Sequence, residues 1–311
     1  VNGVTCAGNW VLDRVKTIDV YPPEESLANI LSETRGGGGL AYNVLVDLAR
    51  MGAPFPLRGV GVVGDDEDGR WLLEDARAAG VDVSRVRVTR EAPTSFTDVF
   101  TVRSTGRRTF FHQRGANRLL DVADIEPDGS KILHLGYLLL LDALDRPDPE
   151  FGTRAARVLR RWRDAGATTC VDVVSEASSR FAEVVTPALA QADALICNEI
   201  EAAAVTGETD LRSGAKKLLE MGVGRVAIHR PDGGYYRSRE GDHWEPSLPL
   251  PPGHIKSAAG AGDAFAAACL YAIHEGWDPA RMLKLAHRAA AACLSHETTT
   301  GGLRPVGDLT F

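Results

Sequence analysis

Gly260-Ala261-Gly262-Asp263-Ala264-Phe265, running into the apolar stretch 266–273, is the segment on which the reading of this chain turns. Glycines just ahead of an apolar helical run let the backbone approach a ligand closely, and the first N–H groups of that helix have no internal partner. Together with the helix dipole they make an anion site. A carboxylate inside such a site would repel the anion, so Asp263 needs a reason to be there. It could be a base that takes the proton from an attacking hydroxyl, while the amides around Gly260, Ala261 and Gly262 hold a transferring phosphate. It could equally be an N-terminal cap, with the glycines forming a tight turn. The segment alone leaves both open.

Outward from it, short apolar runs alternate with stretches of helical period, which is the pattern of βαβ units around a mainly parallel sheet. Core strands are expected at 5–12, 57–63, 132–135, 168–173, 194–197 and 225–229, and helices at 40–51, 69–79, 151–165, 199–205, 211–221, 262–275 and 279–295. Residues 15–35 and 94–114 break the alternation with β-like sequence and no helix between. Within the second, Ser104-Thr105-Gly106-Arg107 reads as a hairpin turn between 96–102 and 108–112. A small antiparallel sheet attached to a large α/β body is the expectation. Neither a repeat nor a linker divides the 311 residues, so 1–311 reads as one domain.

Several further groups could carry chemistry. Gly36-Gly37-Gly38-Gly39 precedes Asn43 and could bring backbone amides and that side chain against a polyhydroxy ligand, or be a plain turn. Asp13, after the strand at 5–12, could accept sugar hydroxyls or sit on the surface. Asn198 and Glu201 follow the strand at 194–197, at the end of a parallel strand where ligands gather. Three apart, they share a helical face and could hold water-coordinated Mg²⁺ beside a phosphate, or form a capping box; the two are compatible. Gly59-Val60-Gly61-Val62-Val63-Gly64 matches a dinucleotide fingerprint, but it lies in a strand and is followed by Asp65-Asp66-Glu67-Asp68, where a pyrophosphate would need a helix N-terminus. No Walker pattern occurs.

With 35 Lys and Arg against 42 Asp and Glu, the net charge of −7 speaks against a nucleic-acid partner. The arginines at 154, 157, 160, 161 and 163 read as a solvated helix face. Five scattered cysteines in apolar settings read as reduced thiols. No apolar run suits a membrane span and no leader is recognisable, which points to a cytoplasmic protein.

Taken together and in this order, these residues resemble the ribokinase-like (PfkB) carbohydrate kinases along nearly the whole chain. The resemblance rests on Asp13, Gly38-Gly39 with Asn43, Gly61 to Gly69, Ala79-Gly80-Val81-Asp82, Thr94, Gly106-Arg107-Arg108, Gly115-Ala116-Asn117, Asn198-x-x-Glu201 and Gly260-Ala261-Gly262-Asp263. It implies a central, mostly parallel sheet flanked by helices, with the β-rich segments as a lid that often makes a homodimer contact. It also implies a sugar kinase using ATP with Mg²⁺, with Asp263 as base and an anion hole at residues 261–263. Asp13, Gly38, Gly39 and Asn43 would then bind sugar, Asn198 and Glu201 would organise Mg²⁺ and phosphate, and His229, Pro231, Gly234 and His287 would complete the nucleotide side.

There are three departures. Ser257-Ala258 stands where relatives carry the Asp-Thr linked to a monovalent cation, which puts potassium activation in doubt. His229-Arg230-Pro231 replaces a common Thr-Leu-Gly, and His287 a common Asn. A nucleoside kinase on the same fold, and a non-catalytic sugar-binding regulator, are the alternatives. Arg114 is a candidate for reaching an acidic or phosphorylated sugar.

Overall fold

The computed structural model describes residues 2–174 and 180–309. The chain begins β1 (Val4–Gly8), β2 (Val11–Ile18), β3 (Ile30–Gly38), α1 (Leu40–Arg50), β4 (Leu57–Gly64), α2 (Glu67–Ala78) and β5 (Asp82–Thr89). It continues β6 (Ser95–Val102), β7 (Arg108–Gln113), β8 (Ile132–Leu138), the short ladder β9 (Pro147–Asp148) with β10 (Gly152–Thr153), α3 (Arg154–Asp164) and β11 (Thr168–Val173). The last part is α4 (Phe181–Leu189), β12 (Ala194–Asn198), α5 (Glu199–Thr206), α6 (Leu211–Glu220), β13 (Arg225–Arg230), β14 (Gly233–Ser238), β15 (Asp242–Pro246), α7 (Ala261–Glu275) and α8 (Pro279–Leu294).

Nine strands form the main sheet in the order β15-β14-β13-β12-β11-β8-β1-β4-β5. The seven from β13 to β5 run parallel, and β14 and β15 add an antiparallel edge. Near-continuous apolar runs such as Val4–Gly8, buried throughout, suit strands covered on both faces. Alternate residues divide between two cores: Ala227 packs with α1, α7 and α8, while Val226 and Ile228 pack with α3, α4 and α6. Alanines fill α7, which lets α8 approach closely. Helix starts follow capping chemistry: Thr153, Asp210 and Asp278 each accept an N–H three residues on.

The expected strand at 5–12 is two strands, because the chain turns at Asn9-Trp10. The Trp10 indole lies across Gly59 and Gly61, where any side chain would collide with it. That contact explains the first two glycines of the fingerprint-like run, Gly64 lies against Asp66 and Thr94, and Asp66 caps α2 through Gly69 N at 2.8 Å. The arginines of α3 pair with Asp121, Glu126, Asp148 and Asp164, as expected of a solvated face.

The β-rich segments form a separate four-stranded sheet, β3-β2-β6-β7. The 104–107 turn links β6 and β7 as expected. The sheet is mixed, however, since β2 and β6 pair in parallel. A hairpin forces antiparallel pairing only on strands it joins, and these two are separated by β3 to β5.

Candidate functional site

The end of α7 sets the geometry. Gly260 takes a left-handed φ of 82° at its N-cap, and a Cβ there would collide with the Thr299 carbonyl. The first N–H bonded within the helix is that of Ala264, to Gly260 O at 2.8 Å, so those of residues 261–263 face out of the helix end. Asp263 does not cap the helix. It is the third residue of the helix, in the first turn, and accepts hydrogen bonds from the Tyr137 hydroxyl and from Asn43 Nδ2 at 2.7 Å. It is 6% exposed, and burial raises its pKa to about 6 against the opposing pull of those two donors.

Two cavities meet at this helix end. One, of about 290 Å³, is lined by Asn9, Asp13, Asn43, Tyr137, Gly260 and Asp263. The other, of about 500 Å³, is lined by Asn198, His229, Pro231, Gly262, Phe265 and His287.

The first cavity is tightly cross-linked. The single Thr299 hydroxyl proton is shared between Gly37 O at 2.7 Å and Asn43 Oδ1 at 3.0 Å, which leaves the Asn43 amide nitrogen for Asp263. The glycine run is a strand end and not a loose turn. Gly38 leaves the space that the Asp13 carboxylate fills, and Gly39, at φ 83°, starts α1 with its α-carbon against the Asn9 carbonyl. Burial and the nearby Asp263 push the Asp13 pKa up to about 7, with the Thr97 hydroxyl opposing.

Beside the second cavity, Asn198 and Glu201 form the capping box. Asn198 Oδ1 accepts Glu201 N at 2.8 Å, and Glu201 Oε2 accepts Asn198 N at 2.9 Å. Asp172, at the end of β11, is held well above the usual carboxylate range by burial, Glu201 and Asp263. Among the described residues no group of three or more His, Cys, Asp or Glu is placed to chelate an ion directly. Two buried carboxyl groups, one held protonated by its surroundings until a cation offsets them, suit Mg²⁺, which keeps several of its waters and takes few protein ligands. His229 and His287 flank the Phe265 ring. Burial and His287 lower the His229 pKa to about 4; burial also lowers that of His287, whose Nε2 donates to Glu245 O at 3.1 Å. Gly234 packs against His287 one layer behind the cavity.

Sequence reasoning did not include Tyr137, Asp172 or Thr299. Asp172 carried a usable signal, since it ends a core parallel strand, as Asn198 does. Arg114, in contrast, is tied to Leu139 O at 2.8 Å and Asp142 at 2.7 Å.

Residues 7–305 match the pfkB family of carbohydrate kinases. The chain belongs to that family. It is an ATP-dependent kinase acting on a small molecule. This pfkB kinase is 29% identical over 296 residues to an ATP-dependent ribose-1-phosphate kinase of Halopiger xanaduensis, covering 94% of this chain and 92% of that one. It is 26% identical over 303 residues to an aminoimidazole riboside kinase of Salmonella typhimurium, covering 94% and 89%. Its fold matches that of Arabidopsis thaliana ribokinase complexed with ribose and ATP, with a TM-score of 0.82 at 20% identity over 99% and 97% of the two chains. Among the described residues no helix is long and apolar enough to cross a membrane.

Proposed function

We propose that this kinase transfers the γ-phosphate of ATP to a hydroxyl of a small carbohydrate held in the 290 Å³ cavity, with Asp263 as the base. The observation that carries this reading is the α7 N-terminus between two cavities: Asp263 lines one, and Ala261 and Gly262 line the other. An acceptor hydroxyl takes the place of the Tyr137 hydroxyl at the Asp263 carboxylate and gives up its proton there. Its oxygen then attacks the γ-phosphorus in line, and the bridging oxygen leaves with ADP. The N–H groups of residues 261–263 receive the charge on the transferring phosphoryl oxygens. Asp13 and Asn43 orient the acceptor. Glu201 and Asp172 are the residues that would hold Mg²⁺ through water. When bound, Mg²⁺ supplies charge neutralisation along the triphosphate.

The acceptor cavity adjoins a further one of about 330 Å³. That room supports a second reading, a nucleoside acceptor with its base in the annex. The test is ATP consumption against a panel of sugars, sugar acids, sugar phosphates and nucleosides, with Asp263→Asn in parallel. Loss of a general base costs about 10²- to 10⁴-fold in turnover, with acceptor binding retained. Turnover of the purified variant at the wild-type rate refutes the base assignment.

A further inference from the structure

The annex continues beneath the small sheet and shares Val15, Thr34, Val99, Ala259 and Glu297 with the acceptor cavity. The strand period of two fixes what the sheet presents to it. Asp13 lies beside Thr97, which faces His112; four residues along, Thr17 lies beside Thr101, which faces Arg108. At strand spacing these two rows are ~13 Å apart. One end of this inner face therefore carries a carboxylate and the other a guanidinium.

Arg108 differs from the cations on the opposite face, where Arg14 pairs with Asp68, and Lys16 with Asp98 and Glu33. It is half-buried and forms no ion pair among the described residues. Its hydrogen bond goes to Ser257 Oγ at 3.1 Å, on the loop that leads into α7. Desolvation holds its pKa below the usual arginine value. Lys256 lines the same annex and forms no ion pair among the described residues, and the hydroxyls of Thr17, Ser32 and Thr101 complete the wall. Glu297 stands exposed at the junction without pairing to Arg108. A neutral nucleobase gives such a guanidinium no counter-charge. A phosphate ester does, and arginine binds one with two parallel hydrogen bonds.

We propose that the acceptor already carries a phosphate ester, and that Arg108, with Lys256 and the Ser257 hydroxyl, is the site that selects it. The inference rests on the transfer at Asp263 proposed above. The hydroxyl oxygen bonds to the γ-phosphorus, the bond to the β–γ bridging oxygen breaks, ADP leaves and the hydroxyl proton goes to Asp263. The ester already present is untouched, so the product is a sugar bisphosphate.

The test measures ATP-dependent turnover of ribose, ribose 1-phosphate, ribose 5-phosphate, fructose 6-phosphate and inosine by the wild type, Arg108→Ala and Arg108→Lys. A phosphorylated acceptor is expected to exceed every neutral one in kcat/KM by about 100-fold, the scale of a charge-assisted pair. Arg108→Ala should erase that advantage through acceptor KM, with the KM for ATP within about twofold, and Arg108→Lys should restore part of it. A wild type that turns over a neutral acceptor as well as any phosphorylated one overturns the inference and leaves the kinase reading standing. If nothing is turned over, the Asp263 reading fails. Calorimetry with ribose 1-phosphate and ribose 5-phosphate then decides: binding weakened about tenfold or more by Arg108→Ala sustains the anion site, and absent or unchanged binding overturns it.

Discussion

The two cavities we propose for acceptor and nucleotide share one helix end, yet they are built differently. On the proposed acceptor side the polar groups hold one another: Asp263 with Tyr137 and Asn43, Asn43 with Thr299, and Asp13, in the space Gly38 leaves, with the Thr97 hydroxyl. The proposed nucleotide side presents Phe265 between two imidazoles, with Pro231 and apolar neighbours, beside the Asn198–Glu201 capping box. Burial lowers the pKa of both imidazoles, which favours ring surface over charge. Polar bonds set position where the proton is proposed to move, and ring surface dominates where a planar base would rest. Small displacements should therefore be severe on one side and mild on the other.

Gly38→Ala is the sharpest way to break this contrast. Its Cβ collides with the Asp13 carboxylate, and a shift of about an ångström near the chemistry costs on the order of 10²-fold in kcat/KM for the acceptor. The KM for ATP should stay within about threefold, as expected of a change confined to one cavity. An equal loss on both substrates would show that the two sides are not independent. The next largest effect is that of pH. A carboxylate acting as the proposed base must be ionised, and burial raises the Asp263 pKa to about 6. Below that value kcat/KM should fall about tenfold per pH unit, and above it the profile should flatten. A profile still flat at pH 5 would remove Asp263 from the role. The smallest effect belongs to His287→Ala, which should raise the KM for ATP by roughly three- to tenfold, the scale of one lost aromatic contact. A comparable change in acceptor KM would contradict the division of labour.

The main sheet was legible because its core strands are apolar runs that only a two-sided parallel sheet can bury. Asp263 stood out in the sequence because a carboxylate among glycines at a helix start conflicts with an anion site, and the structure adds its two partners, Tyr137 and Asn43. The β14–β15 meander was not, since a polar edge strand such as Asp242–Pro246 shows little apolar periodicity. Nor was α4, where Pro187 interrupts the helical pattern. The parallel pairing of β2 with β6 depends on contacts between distant segments that carry no local mark. The same holds for Tyr137: nothing near it in sequence shows that its hydroxyl will meet a carboxylate 126 residues on. Packing shows how both segments are seated: Asp263 bonds inward instead of capping, and the glycine run is shaped around Asp13 and Tyr42.

Thr299 joins Gly37 and Asn43 across 262 and 256 positions of chain. The acceptor cavity is thus closed by a residue made long after the strand and helix it fastens. During synthesis the first βαβ units can form as they emerge, but Asn43 is not oriented, nor Gly260 seated on its carbonyl, until the ribosome has passed position 299. A nascent chain can carry most of its sheet and still be blind to its acceptor.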